Sequence, residues 1–414
     1  MLETSASLHG RGPPGRARVE ALVTTLLLYI AFLTTVITLL VLSVWAAHIW
    51  FWRRRLSVPL EYAAVEKLVM PDGAVIELRR LDAASTFGPK GERSPVPVLL
   101  LHGLAMNHRN HDAAEQSSFA RHLRNGGRDV WLLTVRSGFS PLSVFGHPKA
   151  DFASMVKYDV PHAVATVLAR TGQRQLDVAG FSMGGMLLYA TLDRTVDSRQ
   201  IRRAAVFAGP AKIRPLGILN LSRVLPRGFS PTVPMRLMTY TFAFAPRLVP
   251  SFLWRRLYNP ANTDPKVERG MLVNVWEDIP GRLGADFVRW SSNRGEIEVD
   301  GVPILPGLAK VSVPVCFFAG SVDWLAPVET VRAGYEAWGR GLPSVDKHFL
   351  VLGRASGNRD DYGHCDISFG RHVTKEVFEP ASQFLATGVF QVPRTAQVEA
   401  LSEEFADADA SPAQ

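Results

Sequence analysis

Apolar positions along this chain form one long unbroken run followed by a series of short ones, and the two patterns predict different structures. Across residues 21–52 only His48 can carry a charge. The stretch opened by Leu22-Val23-Thr24-Thr25-Leu26-Leu27-Leu28-Tyr29-Ile30 exceeds the ~20 residues a helix needs to cross a bilayer. Trp45, Trp50, Phe51 and Trp52 suit the headgroup level, and Arg53-Arg54-Arg55 forms a basic stop. A cleaved signal peptide competes with this reading, but its apolar run is normally about 7 to 15 residues and ends at a small-residue site. Val44-Trp45-Ala46 is a poor one. A core helix of the globular part is the other competitor, and its place before the first strand argues against it. Residues 21–55 are therefore expected to be a transmembrane helix with a basic flank, after unstructured residues 1–20.

Beyond the long run, short apolar stretches alternate with helix-like ones. Residues 63–70 and 74–81 predict a hairpin around Pro71-Asp72-Gly73, whose proline and glycine suit a turn. Strands are predicted at 96–101, 129–135, 176–179, 204–208, 313–319 and 348–352, with helices through 119–123 and 160–170. This alternation predicts an α/β domain with a mostly parallel sheet covered on both faces, with functional groups at the carboxyl ends of its strands. The rhythm breaks across 210–309, which is rich in proline and apolar clusters. A structureless loop of that length is implausible in a compact domain, so the segment is read as a helical cap inserted between two sheet strands. The expected organisation is a domain at 56–390 containing that cap, followed by a disordered acidic tail at 391–414.

One turn in this pattern carries chemistry. The apolar run Leu176-Asp177-Val178-Ala179 feeds Gly180-Phe181-Ser182-Met183-Gly184 and then an apolar helix-like stretch. A strand turning sharply through Gly-x-Ser-x-Gly into a helix is a nucleophile elbow, which leaves the serine hydroxyl exposed. The alternative is a Gly/Ser-rich turn in a buried strand–helix unit. A serine hydroxyl needs a base within hydrogen-bond reach, and the base needs an orienting carboxylate. Asp323, in Gly320-Ser321-Val322-Asp323, follows one predicted strand, and His364, in Asp361-Tyr362-Gly363-His364-Cys365-Asp366, follows another. Taken singly, Asp323 reads as a capping carboxylate and His364 as a surface histidine. Together with Ser182 they fall in the order serine, acid, histidine. Asp361 and Asp366 are rival acids, although Asp366 suits capping or bracing its own loop better. The backbone N–H groups of Met183 and, from His102-Gly103-Leu104-Ala105, of Leu104 are the candidate oxyanion donors. A histidine base must be unprotonated, so activity is expected to fall on acidification.

Composition adds bounds. The chain has 414 residues, 47% of them hydrophobic, enough for one large catalytic domain with additions at the ends. Only Cys316 and Cys365 are present, so no disulfide framework is implied. The net charge of +8 comes without any nucleic-acid motif, which leaves an anionic membrane surface or a merely solvated basic surface as its meaning. Arg11, Arg16 and Arg18 precede the long apolar run while Arg53, Arg54, Arg55 and Lys67 follow it, a bias that favours a cytoplasmic catalytic domain. His108, His111 and Asp112 invite a metal reading, but no further ligand cluster follows them. No metal and no cofactor is assigned.

These motifs, in order over residues 61–388, resemble the α/β-hydrolase family and within it the lipases and esterases. Tyr362-Gly363-His364-Cys365-Asp366 and His102-Gly103-Leu104 look like acid lipases. Phe181 and Met183 stand where the acid-lipase elbow usually has histidine and glutamine. His102-Gly103-Leu104-Ala105-Met106-Asn107 is also similar to a loop of polyhydroxyalkanoate synthases, which carry cysteine where this chain has Ser182. The resemblance implies a serine hydrolase of carboxylic esters, and Phe229, Phe242, Phe244, Phe252, Trp254 and Trp276 in the cap suggest an apolar or lipid-like substrate. Packing of the cap on its own core is the alternative use of those aromatics. Acyl transfer with the same residues, or a catalytically silent fold used for binding, are the competing functions.

Overall fold

The structure, a computed structural model, describes residues 14–83, 96–113, 117–139, 149–215 and 231–392. It divides into two units, one ending at Arg55 and one beginning at Leu56.

The first unit is a single helix, Pro14–Leu56, of 43 residues. No glycine or proline interrupts the sequence between Gly15 and Pro59, so nothing breaks the helix once it has started. The stretch at 14–20, expected to be unstructured, is helical for this reason; residues 1–13 of that expectation lie outside the described residues. The part from Arg18 to Leu56 is long and apolar enough to cross a membrane, and its most apolar stretch has a mean hydropathy of 2.5 with none of its surface buried. Thr24, Thr25 and Thr35 donate their hydroxyls to the carbonyls of Glu20, Ala21 and Ala31, each at 2.8 Å. Those bonds leave the threonines little polarity to present outward.

The second unit is built on an eight-stranded sheet. Its strands are β1 (Ala64–Val69), β2 (Val75–Leu81), β3 (Val98–Leu101), β4 (Val130–Thr134), β5 (Leu176–Phe181), β6 (Ile201–Phe207), β9 (Val315–Gly320) and β10 (Lys347–Leu352). A separate two-residue ladder joins β7 (Glu298–Val299) to β8 (Val302–Pro303). The order across the large sheet is β1-β2-β4-β3-β5-β6-β9-β10. The β1–β2 and β2–β4 pairs are antiparallel and all others are parallel. The hairpin turns where the sequence places it: Gly73 has φ +80°, and the Met70 N–H bonds the Ala74 carbonyl at 2.7 Å. Every residue of β3, β4, β5 and β9 is buried, which is why these strands read as continuous apolar runs rather than alternating ones.

Asp177 interrupts β5 without exposure, because Arg128 and Arg202 both bond its carboxylate. From β3 the chain passes to β4 on one side, then returns to β5 on the other, so the strand order reverses beside β3. The crevice at the carboxyl ends of β3 and β5 is thus the place where such sheets put their sites.

Between β6 and β9 the chain forms the helices Met235–Phe242, Pro265–Asn274 and Gly281–Ser292 with shorter turns. The acidic tail falls outside the described residues from 393 onward.

Candidate active site

Ser182 sits where β5 ends and the helix Met183–Thr191 begins, with φ 52° and ψ −115°. A non-glycine residue in that region is strained, and such strain persists only where the surroundings over-determine it. Here the Ser182 N–H bonds the Phe207 carbonyl at 2.8 Å, and the Ser182 carbonyl accepts from Met186 at 3.1 Å. Close approach explains the flanking glycines. A Cβ on Gly180 would lie 2.5 Å from the Gly184 carbonyl carbon, and one on Gly184 would collide with the Leu101 carbonyl oxygen of β3. The elbow is therefore pressed against the end of the neighbouring strand, and its serine is half-buried.

The acid and the histidine arrive from the two strands beyond β6. Asp323 lies three residues past the end of β9; its Oδ1 accepts the Leu325 and Ala326 N–H groups, each at 2.8 Å, which fixes the carboxylate. Its Oδ2 lies 2.7 Å from His364 Nδ1, and His364 Nε2 lies 2.8 Å from Ser182 Oγ. Asp323 and His364 are 6% and 4% exposed, so this chain of contacts runs through a largely water-free interior. The Phe181 ring packs on the imidazole with centroids 5.0 Å apart. The rival acids are engaged elsewhere. Asp361 accepts from Ser321 and from the Arg354 N–H, and Asp366 accepts from Asn259, Asn262 and Gly363. Asp366 braces the loop, as its position in the sequence suggests. Burial pushes its carboxyl up to about 7, against the hydrogen bonds from Asn262, Asn259 and Gly363.

The loop after β3 is held at several of its backbone polar groups. The Gly103 N–H reaches Asn110 Oδ1 at 3.3 Å, the Ala105 carbonyl accepts from Glu277 at 2.7 Å, and the Asn107 N–H reaches the Val275 carbonyl at 3.1 Å. His102 supplies the least expected tie. Its Nε2 faces the Val135 N–H at 3.2 Å and must accept, so the proton resides on Nδ1, which donates to the Gly103 carbonyl at 2.8 Å. In a planar trans peptide the C=O and the following N–H point opposite ways, so holding the Gly103 oxygen aims the Leu104 N–H away from the imidazole. Ala105, at φ 56°, then turns the chain sharply. Among the described residues neither the Leu104 nor the Met183 N–H has an acceptor. Met183 is the first helical residue, whose N–H has no partner within a helix. β3 pairs with β5 at Leu101↔Gly180, and Leu104 and Met183 each follow three residues beyond that paired position on their own strands.

Known proteins are similar to this chain in sequence and in fold. A family model described as the alpha/beta hydrolase fold matches residues 96–217, which include β3, the elbow and β6. The chain is similar in structure to an esterase from Thermogutta terrifontis and to one from Rhodococcus sp.. Each is 16% identical with a TM-score of 0.50, over 78% of this chain and 98% of the esterase. The chain has the α/β-hydrolase fold. Among its relatives in sequence, human gastric triacylglycerol lipase is 31% identical over 137 residues, 30% of this chain and 34% of the lipase. Sterol esterase 2 of Saccharomyces cerevisiae is 31% identical over 160 residues, 34% of this chain and 30% of the esterase. The chain thus spans about a third of the length of these relatives.

Within this fold, the structure brings together Ser182, Asp323 and His364 but disperses the residues that suggested a metal. His111 Nε2 donates to the Leu101 carbonyl, Asp112 bonds Tyr62, Ser118 and Arg121, and His108 faces Thr134. Of the aromatics expected to grip a substrate, Trp254 and Trp276 are buried in packing, while Phe242 and Phe252 are exposed; Phe229 lies outside the described residues. Burial holds Cys316 and Cys365 well above the usual thiol range, so neither presents a thiolate near neutrality.

The two histidines at the base of the loop make a stability prediction. Burial lowers His102 to about 4, partly countered by its bond to Gly103, and lowers His111 to about 4, partly countered by its bond to Leu101. Each is neutral in the fold while an unfolded histidine titrates near ~6.5, so the unfolded chain binds more protons between those values. Stability contributed by the pair is therefore full above about pH 6.5 and is lost as pH falls toward 4. At pH 5 each histidine is expected to cost about 2 kcal/mol relative to pH 7.5. Denaturant unfolding of wild type beside His111→Gln at both pH values checks this: the variant should lose about 2 kcal/mol less on acidification.

Proposed function

We propose that this protein is a membrane-anchored serine hydrolase that cleaves a carboxylic ester with a large apolar group. The single observation that carries the reading is the continuous contact from Asp323 through His364 to Ser182, at 2.7 Å and 2.8 Å. In this mechanism His364 Nε2 takes the Ser182 proton as Oγ attacks the ester carbonyl, and Asp323 stabilises the imidazolium on its other nitrogen. The Met183 and Leu104 N–H groups, without acceptors of their own, receive the developing oxyanion. His364 then passes its proton to the departing alcohol, and water attacks the acyl-enzyme with the same histidine as base.

The lipase and sterol-esterase relatives support an apolar ester as substrate. The exposed Phe242, Leu248, Phe252 and Leu253 of the segment between β6 and β9 support the same class. Membrane anchorage rests on the helix from Arg18 to Leu56. It is further supported by the chain between Asp197 and Asp264, which has eleven Lys or Arg and no Asp or Glu, a composition suited to an anionic lipid surface. Fluorophosphonate labelling and hydrolysis of p-nitrophenyl esters of graded acyl length test the proposal. Octanoate and longer esters are expected to give at least ~10-fold higher kcat/KM than acetate, from the burial of extra methylenes at ~0.8 kcal/mol each. A preference for acetate would remove the apolar-substrate reading, and absence of labelling would remove the serine mechanism.

A further inference from the structure

We propose that the segment between β6 and β9 is a fixed clamp that holds the histidine loop and the oxyanion loop in register with Ser182, with Asn262 and Glu277 as its positioning residues. The inference rests on the serine mechanism above and adds to it which distant residues set its geometry.

Two sets of bonds join this segment to the site. At the histidine loop, the Leu257 carbonyl accepts from the Cys365 N–H at 2.8 Å, one residue from the base. The fully buried Asp366 carboxylate then gathers donors from both sides. It accepts the Asn259 N–H at 3.1 Å and Asn262 Nδ2 at 2.9 Å from the inserted segment, and the Gly363 N–H at 3.1 Å from the residue just before His364. The backbones are in contact here, for a Cβ on Gly363 would lie 2.9 Å from the Asn259 nitrogen. The Arg371 N–H adds a bond to the Asn262 carbonyl at 2.8 Å.

At the oxyanion loop, residues 275–277 run antiparallel to 105–107, with Met106 paired to Trp276. The flanking bonds are Glu277 N–H to Ala105 and Asn107 N–H to Val275, at 2.7 Å and 3.1 Å. Asn107 Nδ2 also reaches Glu277 Oε1 at 2.8 Å, and Glu277 is held from behind by Arg236 at 3.2 Å. The restraint falls on Ala105, whose positive φ needs it.

The helix Pro265–Asn274 connects the two sets, beginning two residues after Thr263 and ending one before Val275. A packed helix transmits displacement from one end to the other, so a shift of the segment moves the base and the oxyanion donor together. A cover that swung open would break both sets and take the site apart.

Kinetics of the full-length chain in detergent, with p-nitrophenyl octanoate and a fluorophosphonate probe, test this. Asn262→Ala and Glu277→Ala are each expected to lower kcat about 10- to 100-fold with KM within about three-fold, because misplacement rather than binding is affected. Labelling of Ser182 should slow in parallel, and Glu277→Gln, which keeps an acceptor for Asn107, should recover most of kcat. The double variant should lose no more than about three-fold beyond the worse single, since both release one clamp. Unchanged kcat in both alanine variants, losses that multiply in the double variant, or failure of Glu277→Gln to recover activity would each overturn the clamp alone, provided Ser182→Ala abolishes labelling. Labelling that persists in Ser182→Ala would overturn the nucleophile and the clamp together. Should the alanine variants not fold, amide exchange in wild type decides. The N–H groups of Asn107, Asn259, Glu277 and Cys365 should be slowly exchanging in both free and phosphonylated protein, whereas fast exchange in the free protein would mark a swinging cover.

Discussion

Ser182→Ala is expected to lower kcat on an ester substrate by about 10⁶-fold while leaving KM within a few-fold. The magnitude follows from what the side chain does. Its oxygen is the only atom of the residue proposed to bond the substrate, and without it neither the acyl-enzyme nor the proton transfer to His364 exists. The donors at Leu104 and Met183 remain, so a residual rate about 10³- to 10⁴-fold above uncatalysed hydrolysis should persist from oxyanion binding and positioning alone. Stability should change little, because alanine occupies φ 52° at much the same cost as serine and loses one contact, the 2.8 Å bond to His364. Steady-state hydrolysis of p-nitrophenyl octanoate, read beside thermal unfolding, separates the two effects. A loss smaller than about 100-fold in a folded variant would show that Ser182 is not the attacking group.

The sheet was legible in sequence because burial on both faces makes its strands continuous apolar runs, and the registers at Leu101↔Gly180 and Val206↔Phe317 join segments already recognisable as strands. Ser182, Asp323 and His364 were legible for a related reason: each follows a strand end, so sequence order alone places them at one edge of the sheet. What stayed hidden depends on contacts between segments far apart in the chain. For His102, only the Val135 N–H opposite its Nε2 reveals the tautomer that orients the Gly103–Leu104 peptide.

The bonds from Asn259 and Asn262 to Asp366 likewise join segments more than a hundred residues apart. Ala105 gives no sign of its positive φ, since alanine has no preference for it, and the N–H that its carbonyl binds belongs to the distant Glu277. The polar composition of residues 14–20 hides their helical start, which follows from the absence of any breaker after Gly15. The inserted aromatics divide in a way that hydrophobicity could not foretell: Trp254 bonds Pro246 through its indole and is buried, while Phe252, two positions earlier, is 60% exposed.

Asp323→Asn separates the orienting role of the carboxylate from its presence, and it is expected to lower kcat by about 10⁴-fold. An asparagine in this position can keep one oxygen toward the Leu325 and Ala326 N–H groups, now 2.8 Å from Asp323 Oδ1, so the loop should stay in place. Its amide NH₂ then faces His364 Nδ1 where a carboxylate oxygen stood at 2.7 Å. A donor opposite Nδ1 requires that nitrogen to accept, which moves the imidazole proton to Nε2. From there the ring donates to Ser182 Oγ instead of taking its proton, and the base is lost with its geometry intact. Asp361→Asn is the matched comparison. That carboxylate serves Ser321 and the Arg354 N–H, both of which an asparagine oxygen can still satisfy, so kcat should change by less than about three-fold. A large loss in Asp361→Asn with a small one in Asp323→Asn would reassign the acid. The expected pattern, about four orders of magnitude for one aspartate and almost none for a rival in the neighbouring loop, would instead tie the orienting role to the residue three positions beyond β9.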